Sequence, residues 1–210
     1  PGVRSLEEYA YDATGNTVAR QTGGDTQTLS WNPEGRVETV TDADGTTTEY
    51  LYDADGSRLI GRTAEETTLY LGHTEITVPA GSTTPEATRY IDLGGGHTAV
   101  ITDDGEASFT LADHHGTGHF AIEAATQNIT QRRTLPFGDT RGDDPGEAWP
   151  GSRGFIGGIT DTTTGLTHLQ AREYDPALGR FISLDPLMDL TDPQQIHGYT
   201  YANNNPLTYS

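Results

Sequence analysis

A five-residue turn motif recurs along the first part of the chain at an almost constant interval. The motif reads aromatic residue, Asp or Asn, two variable residues and Gly, and it occupies 11–15, 31–35 and 52–56. Counted from positions 11, 31 and 52, the repeats begin 20 and 21 residues apart. A fixed period of this length indicates a repeat architecture in which each unit buries one face against the next.

The chemistry of the motif predicts a hairpin turn. An Asp or Asn side chain bonds the backbone two residues on, and Gly supplies the positive φ that closes the turn. We expect the aromatic rings of Tyr11, Trp31 and Tyr52 to pack inward. Between the motifs, 36–40 and 47–51 alternate polar and apolar residues with a period of two, as strands do.

The same alternation continues through the middle of the chain, at 89–93, 98–102, 108–112 and 119–123. Only 32% of the residues are hydrophobic and the net charge is −19, values that also occur in disordered chains. The regular alternation argues against disorder. The sequence therefore predicts an all-β fold of successive hairpins.

Charge and composition exclude several kinds of partner. The 31 Asp and Glu residues against 12 cations disfavour binding to nucleic acid or anionic lipid, which need a basic face. No apolar run approaches the roughly 20 residues of a membrane span, so we expect no membrane insertion. Cysteine is absent, which rules out disulfides and thiolate chemistry.

The three motifs resemble the RHS (YD) repeats of bacterial polymorphic toxins, ABC toxin C subunits and teneurins. The resemblance is stronger towards the end of the chain, where short motifs occur in the order of an RHS repeat-associated core domain. We interpret 1–80 as RHS/YD repeats, 81–134 as further hairpins, and 135–210 as the core domain. The matching motifs are Gly165-Leu166, Ala171-Arg172, Tyr174-Asp175-Pro176, Gly179-Arg180-Phe181, Asp185-Pro186, Tyr199, Tyr201 and Asn204-Asn205-Pro206.

This resemblance implies an architecture. In the family the repeats wind into a β-sheet spiral that forms a hollow shell, and the core closes one end by curling inward. A variable C-terminal effector, often a toxin, is held inside. The resemblance also implies a secreted or cell-surface protein, and we expect these residues to be a piece of a longer chain whose signal sequence lies elsewhere.

The resemblance further implies chemistry. Toxin-associated cores resemble an aspartyl autoprotease in which one Arg and two Asp residues release the effector. The motifs place the Arg at Arg172 and the first Asp at Asp185, and the second Asp is expected just beyond Ser210, so that 1–210 alone should not cleave. The alternative interpretation of Arg172 and Asp185 is a structural ion pair or two turn residues.

Other residues suggest sites that we weigh against simpler interpretations. Asp113, His114, His115 and His119 include metal-ligand types, but neighbours on a strand point to opposite faces, which favours a hairpin turn. The glycines at 94–96 lack the strand-to-helix context of a phosphate loop. We therefore expect neither a metal nor a cofactor.

Two further hypotheses concern interactions. An adhesin built from the repeats would display aromatic residues, for which Trp31 and Trp149 are the candidates. A shell segment also leaves an unpaired sheet edge near Pro1, which predicts self-association through that edge.

Overall fold

The computed structural model describes residues 8–22, 24–143, 145–186 and 197–207. The described chain is all-β and contains two antiparallel sheets, one of 13 strands and one of four. Besides strands it has only short 3₁₀ turns at Gly146–Ala148, Phe155–Gly157 and Ala202–Asn204. In these ranges no helix has the length and apolar character needed to cross a bilayer. The predicted fold class is confirmed.

The large sheet is a meander in which every strand pairs with its neighbours in sequence. This order follows from short turns, because antiparallel strands joined by a few residues pair with each other first. Its strands are β1 Tyr9–Tyr11, β2 Thr17–Thr22, β3 Asp25–Trp31, β4 Val37–Thr41, β5 Thr47–Tyr52, β6 Arg58–Arg62, β7 Glu66–Leu71, β8 Thr74–Pro79, β9 Glu86–Gly94, β10 His97–Thr102, β11 Ala107–Ala112, β12 Gly118–Glu123 and β13 Ile129–Gln131.

The repeated motif forms the predicted turn each time. In the third copy the Asp53 carboxylate accepts hydrogen bonds from the backbone N–H groups of Asp55 and Ser57, both at 2.9 Å. Gly56 closes the turn at φ +89°, and its N–H donates to the Asp53 carbonyl at 3.1 Å. The same backbone bonds recur after Asp12, Asn32 and Asp113, which confirms the hairpin interpretation of the last of these.

Gly56 and Gly45 are a matched pair for testing how the turns contribute to stability. Both have φ +89°, but a Cβ at Gly56 collides with the guanidinium of Arg36, whereas a Cβ at Gly45 meets nothing within 4 Å. We expect Gly45→Ala to cost about 1–2 kcal/mol through backbone strain, and Gly56→Ala to cost about the same, because the Arg36 guanidinium is the far end of a flexible side chain and can move away. Urea denaturation measures both, and a much larger loss for Gly56→Ala would show that Arg36 is held in place.

The motif turns all lie at the same end of the strands of the large sheet. Successive turns of a meander alternate between the two ends of the strands, so that every second turn returns to the same end. The turns after β1, β3, β5 and β11 therefore lie side by side at one end. This row of turns, which we call the motif edge, borders the candidate site described below.

The small sheet is formed by the C-terminal part of the chain. Its strands are β14 Ile159–Asp161, β15 Leu166–Leu169, β16 Arg172–Asp175 and β17 Arg180–Phe181, again in sequence order. Tyr174 lies at the centre of an aromatic cluster, with its ring centroid 5.6 Å from that of Phe155, 5.5 Å from Phe181 and 5.3 Å from Tyr201. The Tyr174 hydroxyl donates to the Phe137 carbonyl at 2.7 Å.

The two sheets pack against each other through a shared hydrophobic core. Side chains of β3, β4 and β5 meet Leu166 and Ile182 of the C-terminal region in one buried cluster. The backbone joins as well, because the Thr17 N–H donates to the Ile182 carbonyl at 2.9 Å. This C-terminal region, described over 159–186 and 197–207 and called the core segment below, is thus held on one face of the meander.

Two aromatic residues differ in burial from what the sequence predicted. The rings of Trp31 and Tyr52 pack against the shared core as predicted, but Tyr11 is 41% exposed and its hydroxyl accepts a hydrogen bond from Arg180 at 2.7 Å. Trp149, expected on the surface of an adhesin, is only 8% exposed because it packs on Gly118, where a Cβ would come within 2.9 Å of its ring.

Candidate functional site

Arg172 and Asp185, the predicted site residues, form an ion pair. The guanidinium Nη2 lies 2.9 Å from the Asp185 Oδ2 atom. Arg172 begins β16, and Asp185 follows β17 within an Asp-Pro step. The two side chains are 20% and 37% exposed, so that the pair is accessible to solvent. The second Asp of the predicted dyad falls outside the described residues.

Three contacts fix the geometry of this pair. The Cζ atom of Arg172 lies 3.6 Å from the centre of the Phe181 ring, a stacked cation–π arrangement. Both partners also bond the Gly198 carbonyl, which accepts from Arg172 Nη1 at 3.4 Å and from the Asp185 N–H at 2.8 Å. Burial lowers the pKa of Arg172 from its ordinary value, and the Asp185 carboxylate opposes that shift.

The pair lines a cavity with a volume of about 1640 Å³. One wall is the motif edge, including Asn32 and Asp53, and the other is the core segment with Arg172, Asp185 and His197. The ion pair therefore lies in a solvent-accessible cavity between the motif edge and the core segment.

A second charged cluster lies between the two sheets. The Glu173 carboxylate accepts hydrogen bonds from Arg58 Nη2 at 2.8 Å, His168 Nδ1 at 2.8 Å and the Tyr52 hydroxyl at 3.1 Å. His168 Nε2 accepts the backbone N–H of Arg58 at 3.2 Å, which places the imidazole proton on Nδ1. Arg58 also lies over the Tyr50 ring at 4.0 Å.

The charges of this cluster depend on one another. Burial alone would raise the pKa of Glu173, but the positive charge of Arg58, together with the hydrogen bond from His168 Nδ1, outweighs burial and lowers the pKa to about 2. Burial lowers the pKa of Arg58, and Glu173 more than compensates and raises it. The result is a buried ion pair that stays charged at neutral pH.

Two further polar contacts tie the C-terminal part of the chain to the large sheet. Arg20 Nη1 lies 2.5 Å from Asp175 Oδ2 with both side chains buried. Glu75 accepts from the Ser152 hydroxyl at 2.6 Å and from the Tyr90 hydroxyl at 3.0 Å. Sequence reasoning missed these contacts and the Arg58–Glu173 pair.

One sequence signal was available for Arg58. It occupies the fifth position after the Asx residue of its turn, where the first two copies carry the buried residues Thr17 and Val37. A charged residue at a position that the repeat buries requires a buried partner. The signal predicts that a partner exists but does not say which acid it is.

Asp113 and the neighbouring histidines belong to a turn. Asp113 Oδ1 accepts the N–H groups of His115 and Thr117 at 2.9 and 3.0 Å, and Oδ2 lies 3.2 Å from His119 Nε2. Within the described residues, no three His, Asp or Glu side chains converge as metal ligands.

The meander carries Asx-Gly motif turns at one end of its strands, and buried ion pairs join one of its faces to the C-terminal core segment. These features define a YD-repeat shell. The teneurin YD-shell family model matches residues 73–207. The RHS repeat model matches 11–47 and 31–68. The chain therefore belongs to the teneurin YD-shell and RHS repeat family, and the predicted family is confirmed.

Its curated relatives come from animals and bacteria. Teneurin-1 of Homo sapiens is 27% identical over 98% of this chain, and the match covers 8% of the relative. The tRNA3(Ser)-specific nuclease WapA of Bacillus spizizenii is 26% identical over 96% of this chain and 9% of its own length. The chain thus spans less than a tenth of these relatives.

Solved toxin structures share the fold. The Tc holotoxin pore of Photorhabdus luminescens superimposes with a TM-score of 0.72 at 19% identity, over 97% of this chain and 13% of that one. A TcdB2–TccC3 complex without its hypervariable C-terminal region gives 0.69 at 18% identity, over 96% and 13%. At these identities the likeness concerns the fold.

Proposed function

We propose that this chain is the C-terminal end of an RHS shell that encloses and presents a downstream effector in a secreted or cell-surface protein, with 135–210 acting as its core domain. Arg172 and Asp185 then belong to the site at which the parent protein cleaves itself. The sheet topology supports a shell segment, because a meander whose strands pair in sequence order extends strand by strand without changing its pairing. The family matches support the same architecture.

The contrast among ion pairs carries the catalytic part of the proposal. Arg20–Asp175 and Arg58–Glu173 join the sheets and are at most 2% exposed. Arg172–Asp185 is 20% and 37% exposed and lines the large cavity. An ion pair that only held the fold together would gain little at such an exposed position, whereas one that acts on a peptide must be reachable.

The chemistry requires a second carboxylic acid, supplied by the chain beyond Ser210. The Arg172 guanidinium, 2.9 Å from the Asp185 carboxylate, orients it. Asp185 takes a proton from water as the water oxygen bonds to the peptide carbon, and the second Asp donates its proton to the carbonyl oxygen. Collapse of this intermediate breaks the C–N bond, with a proton passing to the nitrogen, and leaves a carboxylic acid and an amine.

The test is the intact mass of the parent protein extended beyond Ser210. We expect the wild type to lose a defined C-terminal piece, and Asp185→Asn to release it about 10²–10⁴-fold more slowly. Asp103→Asn, an exposed turn residue remote from the site, is the matched control and should cleave normally. Because Arg172–Asp185 is a partly exposed pair, we expect the variant to remain folded, which a thermal melt checks.

Two results would contradict the catalytic role. Equal cleavage in wild type and Asp185→Asn assigns the reaction to other residues. If neither the wild type nor Asp185→Asn is cleaved, Arg172–Asp185 is a structural ion pair and the shell is a display module.

A second candidate function is an extracellular adhesin, supported by the teneurin relatives and by aromatic side chains on the sheet surface. Besides Tyr11, whose hydroxyl accepts a hydrogen bond from Arg180, the exposed rings of the described residues are those of Phe109 and Phe120, not the tryptophans that the sequence suggested. Binding of the uncleaved shell to a cell surface, with loss on substitution of these rings, would favour this function.

A further inference from the structure

The outer side of the last strands of the large sheet is unusually apolar. Tyr90 of β9 points to the inner side, where its hydroxyl accepts the Ser152 N–H at 2.8 Å. Alternate residues on a strand point to opposite faces, so that the neighbours of Tyr90 point outward. Six such outward side chains, which we call the outer apolar face, are 38–66% exposed: Ile91, Leu93, Phe109, Leu111, Phe120 and Ile129.

These side chains form a continuous surface. The register places Ile91 opposite Ala99 and Ala99 opposite Phe109. It continues through Ile122 to Ile129. One row of apolar residues thus crosses five strands, and Leu111 opposite Phe120 forms a second row beside it.

The area of this face is comparable with that of the largest apolar patches on monomeric proteins, which are often functional. At the stated exposures, and with roughly 150–250 Å² for a large side chain, the six residues expose on the order of 500 Å². The largest apolar patch on a typical monomer is about 300–600 Å². A standard interface covers about 800 Å² per partner, so that this face with a polar rim is sufficient for a reversible interface.

Charge restricts what can cover the face. The outward positions of β9–β13 carry no Asp or Glu in the described strands, although the chain has a net charge of −19. A basic partner is attracted to the carboxylates elsewhere on the molecule. Two copies of the chain repel each other except where carboxylates are missing, and the outer apolar face is such a region.

The shape of the outer apolar face is complementary to the same face on a second copy of the chain. Ala99 is 7% exposed and lies in the register between the taller Ile91 and Phe109, so that a hollow and a projection adjoin in one row. A two-fold axis brings each projection opposite the hollow of the partner, which is the condition for an isologous interface. We propose that the outer apolar face is a homodimer interface in which two large sheets pack face to face.

The test is sedimentation velocity of the chain across a range of concentrations and salt. We expect a monomer–dimer equilibrium that strengthens with ionic strength, because salt screens the repulsion between two acidic copies. Phe109→Thr should raise the dimer dissociation constant about tenfold or more. Leu111→Thr, which keeps strand propensity, gives a second variant in case the first is poorly folded.

The control is Leu51→Thr. Leu51 is 45% exposed but lies on β5, four strands away from β9, and its substitution should leave the equilibrium unchanged. A chain that is monomeric at every concentration overturns the proposal. So does a dimer that neither Phe109→Thr nor Leu111→Thr weakens, since association then occurs elsewhere, for example at the sheet edge.

Discussion

Replacing Glu173 with alanine is expected to lower the free energy of unfolding by about 3–5 kcal/mol. The substitution leaves the guanidinium of Arg58, which is completely buried, without its main counter-charge. It also removes the acceptor of His168 Nδ1 and of the Tyr52 hydroxyl. Each of these buried donors then lacks a bond that water provides in the unfolded chain.

The matched control replaces both charges. Because a buried ion pair is often no more stable than packed apolar side chains of similar volume, the double variant Arg58→Met with Glu173→Leu should lose much less than Glu173→Ala. Urea denaturation of wild type, the single variants Arg58→Met and Glu173→Leu, and the double variant gives the coupling energy. A double variant as unstable as the single ones would contradict the charge argument.

The same experiment at acid pH separates charge from packing. The pKa of Glu173 is about 2 in the folded protein, against an ordinary value of 4.5. A lowered folded-state pKa contributes stability that is complete above the ordinary value and is lost as pH falls towards the folded one. The difference in stability between wild type and Glu173→Ala should therefore narrow between about pH 4.5 and pH 2.

Replacing Tyr174 with alanine is expected to cost about 3–5 kcal/mol as well, because it empties the centre of the aromatic cluster. Tyr174 is fully buried and touches the rings of Phe155, Phe181 and Tyr201. Tyr174→Phe keeps the ring and removes only the hydrogen bond to the Phe137 carbonyl, for about 1–2 kcal/mol. Thermal denaturation of the two variants gives both costs.

The comparison of Tyr174→Ala with Tyr174→Phe shows whether packing or the hydrogen bond stabilises this region. Similar losses from both would mean that the hydrogen bond, and not the packing, holds this region together. Phe181 is stacked on Arg172, so we also expect Tyr174→Ala, but not Tyr174→Phe, to disturb the Arg172–Asp185 pair.

Local features of the fold were predictable from the sequence. The glycine and Asx residues of the motif determine the turns by themselves, because the required backbone angle and hydrogen bonds lie within five residues. Alternation then determines which side chains share a face. The Arg172–Asp185 pair was identified by family resemblance, since nothing local connects residues on either side of β17.

The contacts between the sheets were not predictable in this way. Arg58 and Glu173 are 115 residues apart, and 31 acids compete for 12 cations. Which acid meets which cation depends on how the small sheet sits on the meander, a property of the whole fold. The same holds for Trp149, whose burial depends on the missing side chain of Gly118.

The order of strands along the meander has a consequence for synthesis on the ribosome. Every hairpin closes as soon as its second strand emerges, since the closing contacts are near in sequence and form quickly. The partners of Arg20 and Arg58 are made much later, because Asp175 lies 155 residues and Glu173 115 residues further on. During that interval both arginines are hydrated on an open sheet. Docking of the segment that carries Glu173 and Asp175 is therefore the step that completes the contacts between the two sheets, and stalled translation before that point exposes an uncovered β-surface.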